Sequence, residues 1–283
     1  MIDLHTHSCF SDGTDTPEAL ASLGDAMGLR ALALTDHETL AGLPRFMAAQ
    51  SSVKTLLVPG IELGCRFVGR ELHVLGLFFD PDDPTLQTRV ETLRVRRNVR
   101  NEALIARLQS LGIPLRLEDV QALAPSELLS RTHFARCLVN LGAAATPSEA
   151  YDRLIGEGGA AFVPFEDLHP AEAARWIHEA GGLAIVAHPG RFAGGNFIWD
   201  EAMTVLQDMG MDGLEAYYCD YGPSEQRYFL DLAAALRMIP SGGSDYHGDY
   251  KPGLQLGTGR GSLRIPDSVL ETMLEHLERR IPA

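Results

Sequence analysis

Short apolar runs alternate with amphipathic helical stretches along most of this 283-residue chain. That alternation leaves few folds open. Strands separated by helices need crossover connections, so they lie parallel in a sheet or a barrel. The strand candidates are Ile2–His5, Ala31–Thr35, Thr55–Leu63, Leu72–Phe79, Ala161–Pro164, Leu183–His188, Gly213–Tyr217 and Met238–Ser241. Thr16-Pro17-Glu18 opens the first helix, with Thr16 as N-cap and Pro17 in the first turn. Pro170 opens another that stops at Gly181-Gly182. The count is seven or eight strand–helix alternations.

The middle of the chain departs from this rhythm. From about Thr85 to Gly112 the pattern is one long helix. Short helices follow from about Leu117 to Gly156, one of them opened by the capping pattern Thr146-Pro147-Ser148-Glu149. The expected organisation is α/β: a discontinuous barrel domain over residues 1–97 and 159–283, with residues 98–158 as a helical insertion covering the active site.

Composition narrows the function. With 45% hydrophobic and 22% charged residues and a mean hydropathy of -0.03, the chain is neither disordered nor a multi-span membrane protein. No apolar run approaches the roughly 20 residues needed to cross a bilayer. Met-Ile-Asp-Leu-His lacks the basic and apolar regions of a signal peptide, which makes the cytoplasm the expected compartment. A net charge of -14 argues against duplex DNA as a partner but not against an anionic substrate met by bound cations. Cys9, Cys65, Cys137 and Cys219 are far apart, with no CxxC pair, and read as small buried residues of a reducing compartment.

The ten histidines carry the chemistry. His5 and His7 follow the first strand, His37 the second, His188 the Leu183 strand and His247 the last. Asp12, Asp36, Glu62 and Asp245 accompany them. Barrel enzymes build their sites at these strand ends, where the loops converge. His5-Thr6-His7 alternates on an extended segment, so both rings can face one side. Alone it is more often just a pair of satisfied polar residues at a strand end. Asp36-His37 is a weaker signal still, since such a pair also simply caps a turn. Asp245-Tyr246-His247 repeats the alternating geometry after Gly242-Gly243-Ser244. Three such pairs at three strand ends point to a metal centre, and imidazole with carboxylate suits Zn, Mn or Fe(II) better than Ca or Mg. His169, His178 and His276 lie on helical stretches and read as surface residues. His73 and His133 are unremarkable taken alone.

His5-Thr6-His7, Ser11-Asp12-Gly13, Thr35-Asp36-His37, Gly60-Ile61-Glu62, Leu72-His73, Ala187-His188-Pro189 and Ser244-Asp245-Tyr246-His247 together resemble the motifs of the PHP (polymerase and histidinol phosphatase) family. The resemblance runs in order from residue 1 to about 250. It implies a distorted (β/α)7 barrel of PHP type with three divalent metal ions at its C-terminal face, Mn2+ first and Zn2+ or Fe2+ as alternatives. Carried over, the ligands fall on His5, His7, Asp12, His37, Glu62, His73, His133, Asp245 and His247. By resemblance His5, His7 and Asp245 hold one ion and Glu62 bridges to a second. His73 and His133 complete the second, and Asp12, His37 and His247 hold the third. Asp12, where some relatives carry His, is a harder oxygen ligand that favours Mn.

Ser130-Arg131-Thr132-His133-Phe134-Ala135-Arg136 and the insertion resemble the branch of nucleoside 3′,5′-bisphosphate phosphatases and 5′→3′ exoribonucleases. The expected reaction is removal of the 3′-phosphate of adenosine 3′,5′-bisphosphate, giving 5′-AMP, by a hydroxide bridging two metals near Glu62. Trimming of short 5′-phosphorylated RNA, hydrolysis of histidinol phosphate and a metal-stabilised binding module are the alternatives. No P-loop or GxSxG suggests another nucleophile. His188 is left over from the ligand set and is expected to contact phosphate, to protonate the leaving group, or to support a ligand from outside. Arg191 and Arg131 are candidate phosphate clamps, or else ordinary surface arginines. Arg94 and Arg96 read as a solvated helix face. Arg100 and Asn101 are expected over the active face, holding the second phosphate or the nucleoside.

Overall fold

The computed structural model describes residues 1–124, 129–164, 168–192 and 198–280. Among these, seven strands form one sheet in chain order. They are β1 (Ile2–Asp3), β2 (Ala31–Leu34), β3 (Leu56–Phe67), β4 (Arg70–Leu77), β5 (Leu183–Val186), β6 (Gly213–Tyr218) and β7 (Ile239–Gly243). β1, β2 and β3 run parallel, as do β5, β6 and β7. The sheet nearly closes where Leu4 N–H donates to the Gly242 carbonyl at 3.2 Å, Asp245 N–H to His5 at 2.9 Å and His7 N–H to Tyr246 at 2.9 Å. Asp3 locks this seam: its carboxylate accepts from the Ser244 hydroxyl at 2.6 Å, Ser244 N–H at 2.8 Å and Gly257 N–H at 2.7 Å.

Two strand expectations need correction. Ala161–Pro164 forms no strand. The Leu72 run is not a separate βα unit, because β4 pairs antiparallel with both β3 and β5. Val68-Gly69 makes the hairpin turn, both with positive φ (47° and 75°), which keeps the connection too short for a crossover helix. The antiparallel β4 therefore enters the barrel at the end where its parallel neighbours leave it.

Alternation along the strands builds two layers. Ala31 and Ala33 of β2 face the barrel interior with Ile2, Val58, Leu75, Ile185 and Ile239. Leu32 and Leu34 face the outer helices. Those helices are α1 (Pro17–Ala26), α2 (Leu43–Ala48), and, later in the chain, α7 (Pro170–Glu179), α8 (Pro189–Phe192), α9 (Trp199–Asp208) and α10 (Pro223–Leu236); α11 (Asp267–Glu278) plugs the lower end of the barrel with Val269, Leu270 and Met273. Thr16 caps α1 as its sequence predicts, accepting from Ala19 N–H at 3.2 Å, a contribution of about 1 kcal/mol.

The insertion has a core of its own. α3 (Pro84–Ser110) is one continuous helix. Its first half packs Leu86, Val90 and Leu93 on the barrel's outer layer, and its second half packs Leu104, Ile105 and Leu108 against α4 (Leu117–Gln121), α5 (Arg131–Asn140) and α6 (Pro147–Ala150). The two cores thus meet along a single helix, not at a loop. Among the described residues no helix is long and apolar enough to cross a membrane.

Candidate metal centre

The strand ends gather the histidines at one mouth. His5 and His7 are buried and face inward, while Thr6 between them turns away and donates to the Ala33 carbonyl at 2.6 Å. His37, one bridge beyond β2, pairs in parallel with Glu62 on β3. His73 sits opposite Gly64 on the antiparallel β4, which brings it to the same height. His188 follows β5; Asp245 and His247 follow β7. His188 and Asp245 have left-handed backbones, φ 27° and 55°. Non-glycine residues held there are strained and cluster at functional sites.

Glu62, 1% exposed, is the hub. Its Oε1 lies 2.7 Å from His73 Nδ1 and 3.0 Å from His188 Nε2. Its Oε2 lies 3.1 Å from His5 Nε2, 3.1 Å from His7 Nε2 and 3.3 Å from His37 Nδ1. Asp245 Oδ1 stands 3.4 Å from His7 Nε2 and 3.4 Å from His247 Nδ1. Asp12 Oδ1 stands 3.3 Å from His247 Nε2 and 3.8 Å from His37 Nε2.

Metal-capable groups fall out of this geometry in four overlapping sets: His7, Asp12, His37 and His247; His5, His7 and Asp245; His5, Glu62 and His188; and His37, Glu62 and His73. Among the described residues, His7 Nδ1 and Asp12 Oδ1 are buried without a hydrogen-bond partner. Buried polar atoms are otherwise almost always paired. Imidazole and carboxylate donors at this density fit divalent transition ions.

Electrostatics agree. Burial opposes ionisation of Glu62, but the imidazoles of His37, His5 and His73 outweigh it and hold the carboxyl well below the ordinary range. Asp12, opposed by burial and favoured by His37 and His247, and Asp245, opposed by burial and favoured by Lys251 and His247, are held low in the same way. Against burial, the hydrogen bonds to Asp245 and Glu62 push His7 up to about 9, and Glu62 and Glu71 push His73 up to about 10. Three buried carboxylates therefore share the pocket with cations, whether protons or metals.

An outer set of residues orients this knot, and the sequence reading missed it. Glu215 takes His5 Nδ1 with both oxygens, each at 3.1 Å, and accepts from His188 N–H at 2.7 Å. Its signal was a lone carboxylate in the otherwise apolar β6. Tyr218 donates to Asp245 Oδ2 at 2.7 Å and Lys251 Nζ to the same oxygen at 2.5 Å. Asp36 accepts from Ser8 N–H at 2.8 Å and from the Ser8 and Ser11 hydroxyls at 2.6 Å each, so it braces the loop after β1 instead of facing the centre.

The structure redistributes two expected residues. His133 joins none of the four groups. Its Nδ1 accepts from Ser130 N–H at 3.2 Å at the start of α5, which ties the ring to its own helix. His188 stands beside Glu62 in its place. Asn101 is 2% exposed and turns inward, donating from Nδ2 to the Leu129 carbonyl at 2.9 Å, so it belongs to the insertion's packing and not to the active face.

Arg100 and Arg131 do line a cleft. The space over Asp12, His37 and His73, about 90 Å³, is also bordered by Glu38, Gly64, Glu71, Arg97, Arg131 and Tyr151. The same six border a cavity of about 270 Å³ that extends to Arg66, Arg100, Gly156 and Val163. Gly64 and Arg66 come from the β3–β4 hairpin, Arg97 and Arg100 from α3, Arg131 and Tyr151 from the insertion. Arg97 is paired with Glu38 (Nε to Oε2, 2.9 Å), and Arg131 with Glu71. Arg191 lies at the other rim, its side chain 53% exposed, donating to Tyr218 Oη at 3.0 Å and Asp245 Oδ2 at 3.3 Å.

Comparison with known proteins adds names to this geometry. A 5′-3′ exoribonuclease of Haemophilus influenzae is 34% identical over 248 residues, covering 87% of this chain and 89% of that protein. A 3′,5′-nucleoside bisphosphate phosphatase of Chromobacterium violaceum is 30% identical over 257 residues, covering 90% of each. A Bifidobacterium adolescentis protein, solved as a candidate metal-dependent phosphoesterase, superposes with a TM-score of 0.84 at 28% identity over 96% of this chain and 95% of its own. The family model for the PHP domain matches residues 3–167. With its seven-stranded distorted barrel and its mouth of histidines and carboxylates, the chain belongs to the PHP domain family.

Proposed function

We propose that this metal-dependent phosphoesterase of the PHP family removes a phosphate from a small nucleotide, and that its substrate is adenosine 3′,5′-bisphosphate, cleaved at the 3′-phosphate to leave 5′-AMP. The supporting observation is the arginine-bordered cavity of about 270 Å³ that runs into the histidine mouth and is walled by hairpin, α3 and insertion together. A walled pocket with several cationic forks suits a compact ligand with a second phosphate.

A neutral imidazole offers one lone pair. With His188 in place of His133, the sets that the family resemblance implies use each ring once: His5, His7 and Asp245; Glu62, His73 and His188; and Asp12, His37 and His247, with Glu62 between the first two. These sets would hold three ions, Mn2+ by preference. Such ions activate water and neutralise phosphoryl charge when bound. The protein's own residues do the rest. Glu62 spaces the two sets through its separate oxygens, and Glu215 and Tyr218 orient His5 and Asp245. Arg191 meets a phosphate oxygen at the rim. Arg97, Arg100 and Arg131 hold the remote phosphate.

A 5′→3′ exoribonuclease reading draws on the 34% identity to the Haemophilus influenzae enzyme so named. Against it, a net charge of -14 disfavours a long polyanion. The deciding experiment incubates Mn-loaded protein with adenosine 3′,5′-bisphosphate and identifies the products. Appearance of 5′-AMP and inorganic phosphate is expected. Turnover only of a 5′-phosphorylated oligoribonucleotide transfers the assignment to the exonuclease. Silence on both and on histidinol phosphate leaves a metal-stabilised binding module.

A further inference from the structure

The ammonium of Lys251 touches Asp245 twice, donating to the backbone carbonyl at 3.2 Å and to the carboxylate Oδ2 at 2.5 Å. Each of these acceptors already has a task. Oδ2 also accepts from Tyr218 at 2.7 Å and from Arg191 at 3.3 Å, which leaves Oδ1 to face His5 and His7 at 3.6 and 3.4 Å. The carbonyl takes His247 Nδ1 at 2.8 Å. A carbonyl only accepts, so that nitrogen carries the proton, and Nε2 turns its lone pair toward Asp12 Oδ1 at 3.3 Å. Asp245 thus serves the first metal set through its carboxylate and orients a ligand of the third through its backbone.

Asp245 needs holding. It is buried and left-handed, with φ 55°, a backbone that non-glycine residues sparsely populate. Three donors also crowd Oδ2, which has two lone pairs. Arg191 makes the longest of the three contacts and is the most exposed, so it is the donor free to leave for a phosphate oxygen. Tyr218 and Lys251 remain, and Tyr218 reaches the carboxylate alone. The turn that carries Lys251, Gly248–Tyr250, is itself fixed. Asp249 N–H donates to Thr14 Oγ1 at 3.0 Å, Thr14 N–H to the His247 carbonyl at 3.2 Å and Tyr250 Oη to the Leu123 carbonyl at 3.1 Å.

We propose that Lys251 is a positioning residue shared by two metal sets: it holds the Asp245 carboxylate toward His5 and His7, and the Asp245 carbonyl toward His247. Removing it loosens the His5, His7 and Asp245 set together with the Asp12, His37 and His247 set, and leaves Glu62, His73 and His188 as they are. The inference rests on the division of the centre proposed above and not on which nucleotide is cleaved.

The test titrates Mn2+ into metal-stripped protein against a chelating dye and resolves the binding steps, so it needs no turnover. Three steps are expected in the unaltered protein; fewer would sink the division into sets before any variant is read, and the shared role with it. Lys251→Met is expected to weaken two of the three about ten- to a hundred-fold, the usual loss when an outer partner of a metal ligand is removed. Tyr218→Phe, which touches the carboxylate alone, should weaken one. Lys251→Arg keeps a cationic donor and should restore most of both steps. Three unchanged steps in Lys251→Met overturn the proposal, as does the weakening of one step or of all three. Tighter binding overturns it too, since removal of a like charge alone would have that effect. So do an arginine variant as weak as the methionine one and a Tyr218→Phe variant that weakens the same two steps. Should Lys251→Met not fold, Lys251→Gln, polar but too short to reach Asp245, takes its place with the same two-step loss expected.

Discussion

Both carboxylate oxygens of Glu215 lie 3.1 Å from Nδ1 of His5, and neither residue is exposed. The pairing fixes the His5 tautomer so that Nε2 carries the free lone pair toward Glu62 and Asp245. Carboxylate–histidine–metal arrangements of this kind typically lose about ten- to a hundred-fold in metal affinity when the outer carboxylate is removed. Glu215→Gln should do so in a competition titration with a chelating dye, while circular dichroism stays unchanged. Wild-type affinity in this variant would mean that His5 is oriented by packing alone.

His188 and His73 share Glu62 Oε1, at 3.0 Å and 2.7 Å. His188→Ala should therefore lower the bound metal by one ion per chain, read by elemental analysis after gel filtration, and should abolish phosphate release. A full metal complement with a raised KM would instead return His188 to a phosphate-contact role.

Asn101 and Arg97 are four residues apart on α3 but do different work. Asn101→Ala removes the donor to the Leu129 carbonyl inside the insertion and should cost about 1–3 kcal/mol of stability, with KM unchanged. Arg97→Ala borders the cleft and should raise KM several-fold with a much smaller change in melting temperature. Reversal of this pattern would place the second phosphate elsewhere.

In metal-stripped protein, His7 titrates at about 9 and His73 at about 10, both above the unfolded value near 6.5. A raised folded value means the protonated ring contributes stability that is fully present below about pH 6.5 and is lost as pH rises through about 9 and 10. Melting temperature should thus fall between about pH 7 and pH 10 in chelator-treated protein. Metal loading at neutral pH should release protons, so metal affinity should climb with pH. Scanning calorimetry with and without chelator reads the first, and titration in buffers of different ionisation enthalpy the second. A stripped protein that gains stability on going to alkaline pH would contradict the assignment.

Local spacing made much of this protein legible before any coordinates. The pairs His5–His7 and Asp245–His247 sit two apart on extended backbone, and period two puts both side chains of each pair on one side of the chain. Thr16-Pro17, Pro170 and Thr146-Pro147 marked helix starts that are found where expected, because a cap is satisfied by its own neighbours. The α/β class and the gathering of histidines at one mouth followed from these local rules.

What local rules cannot carry is the choice between groups far apart in sequence. His73 enters an antiparallel strand, and its approach to Glu62 depends on a hairpin, not on any spacing in the Leu72-His73 motif. His133 and His188 are both plausible partners for Glu62 on paper. Only packing shows that one is turned onto its own helix cap and the other is held by Glu215, 27 residues further on. Asn101 looked like a ligand-facing residue because helix periodicity does not say which neighbour a buried face meets. The histidines, carboxylates and cleft arginines are brought together by the closure of the barrel and by the helices packed beside its mouth, since burial and mutual distance arise from contacts between segments and not from the order of residues within them.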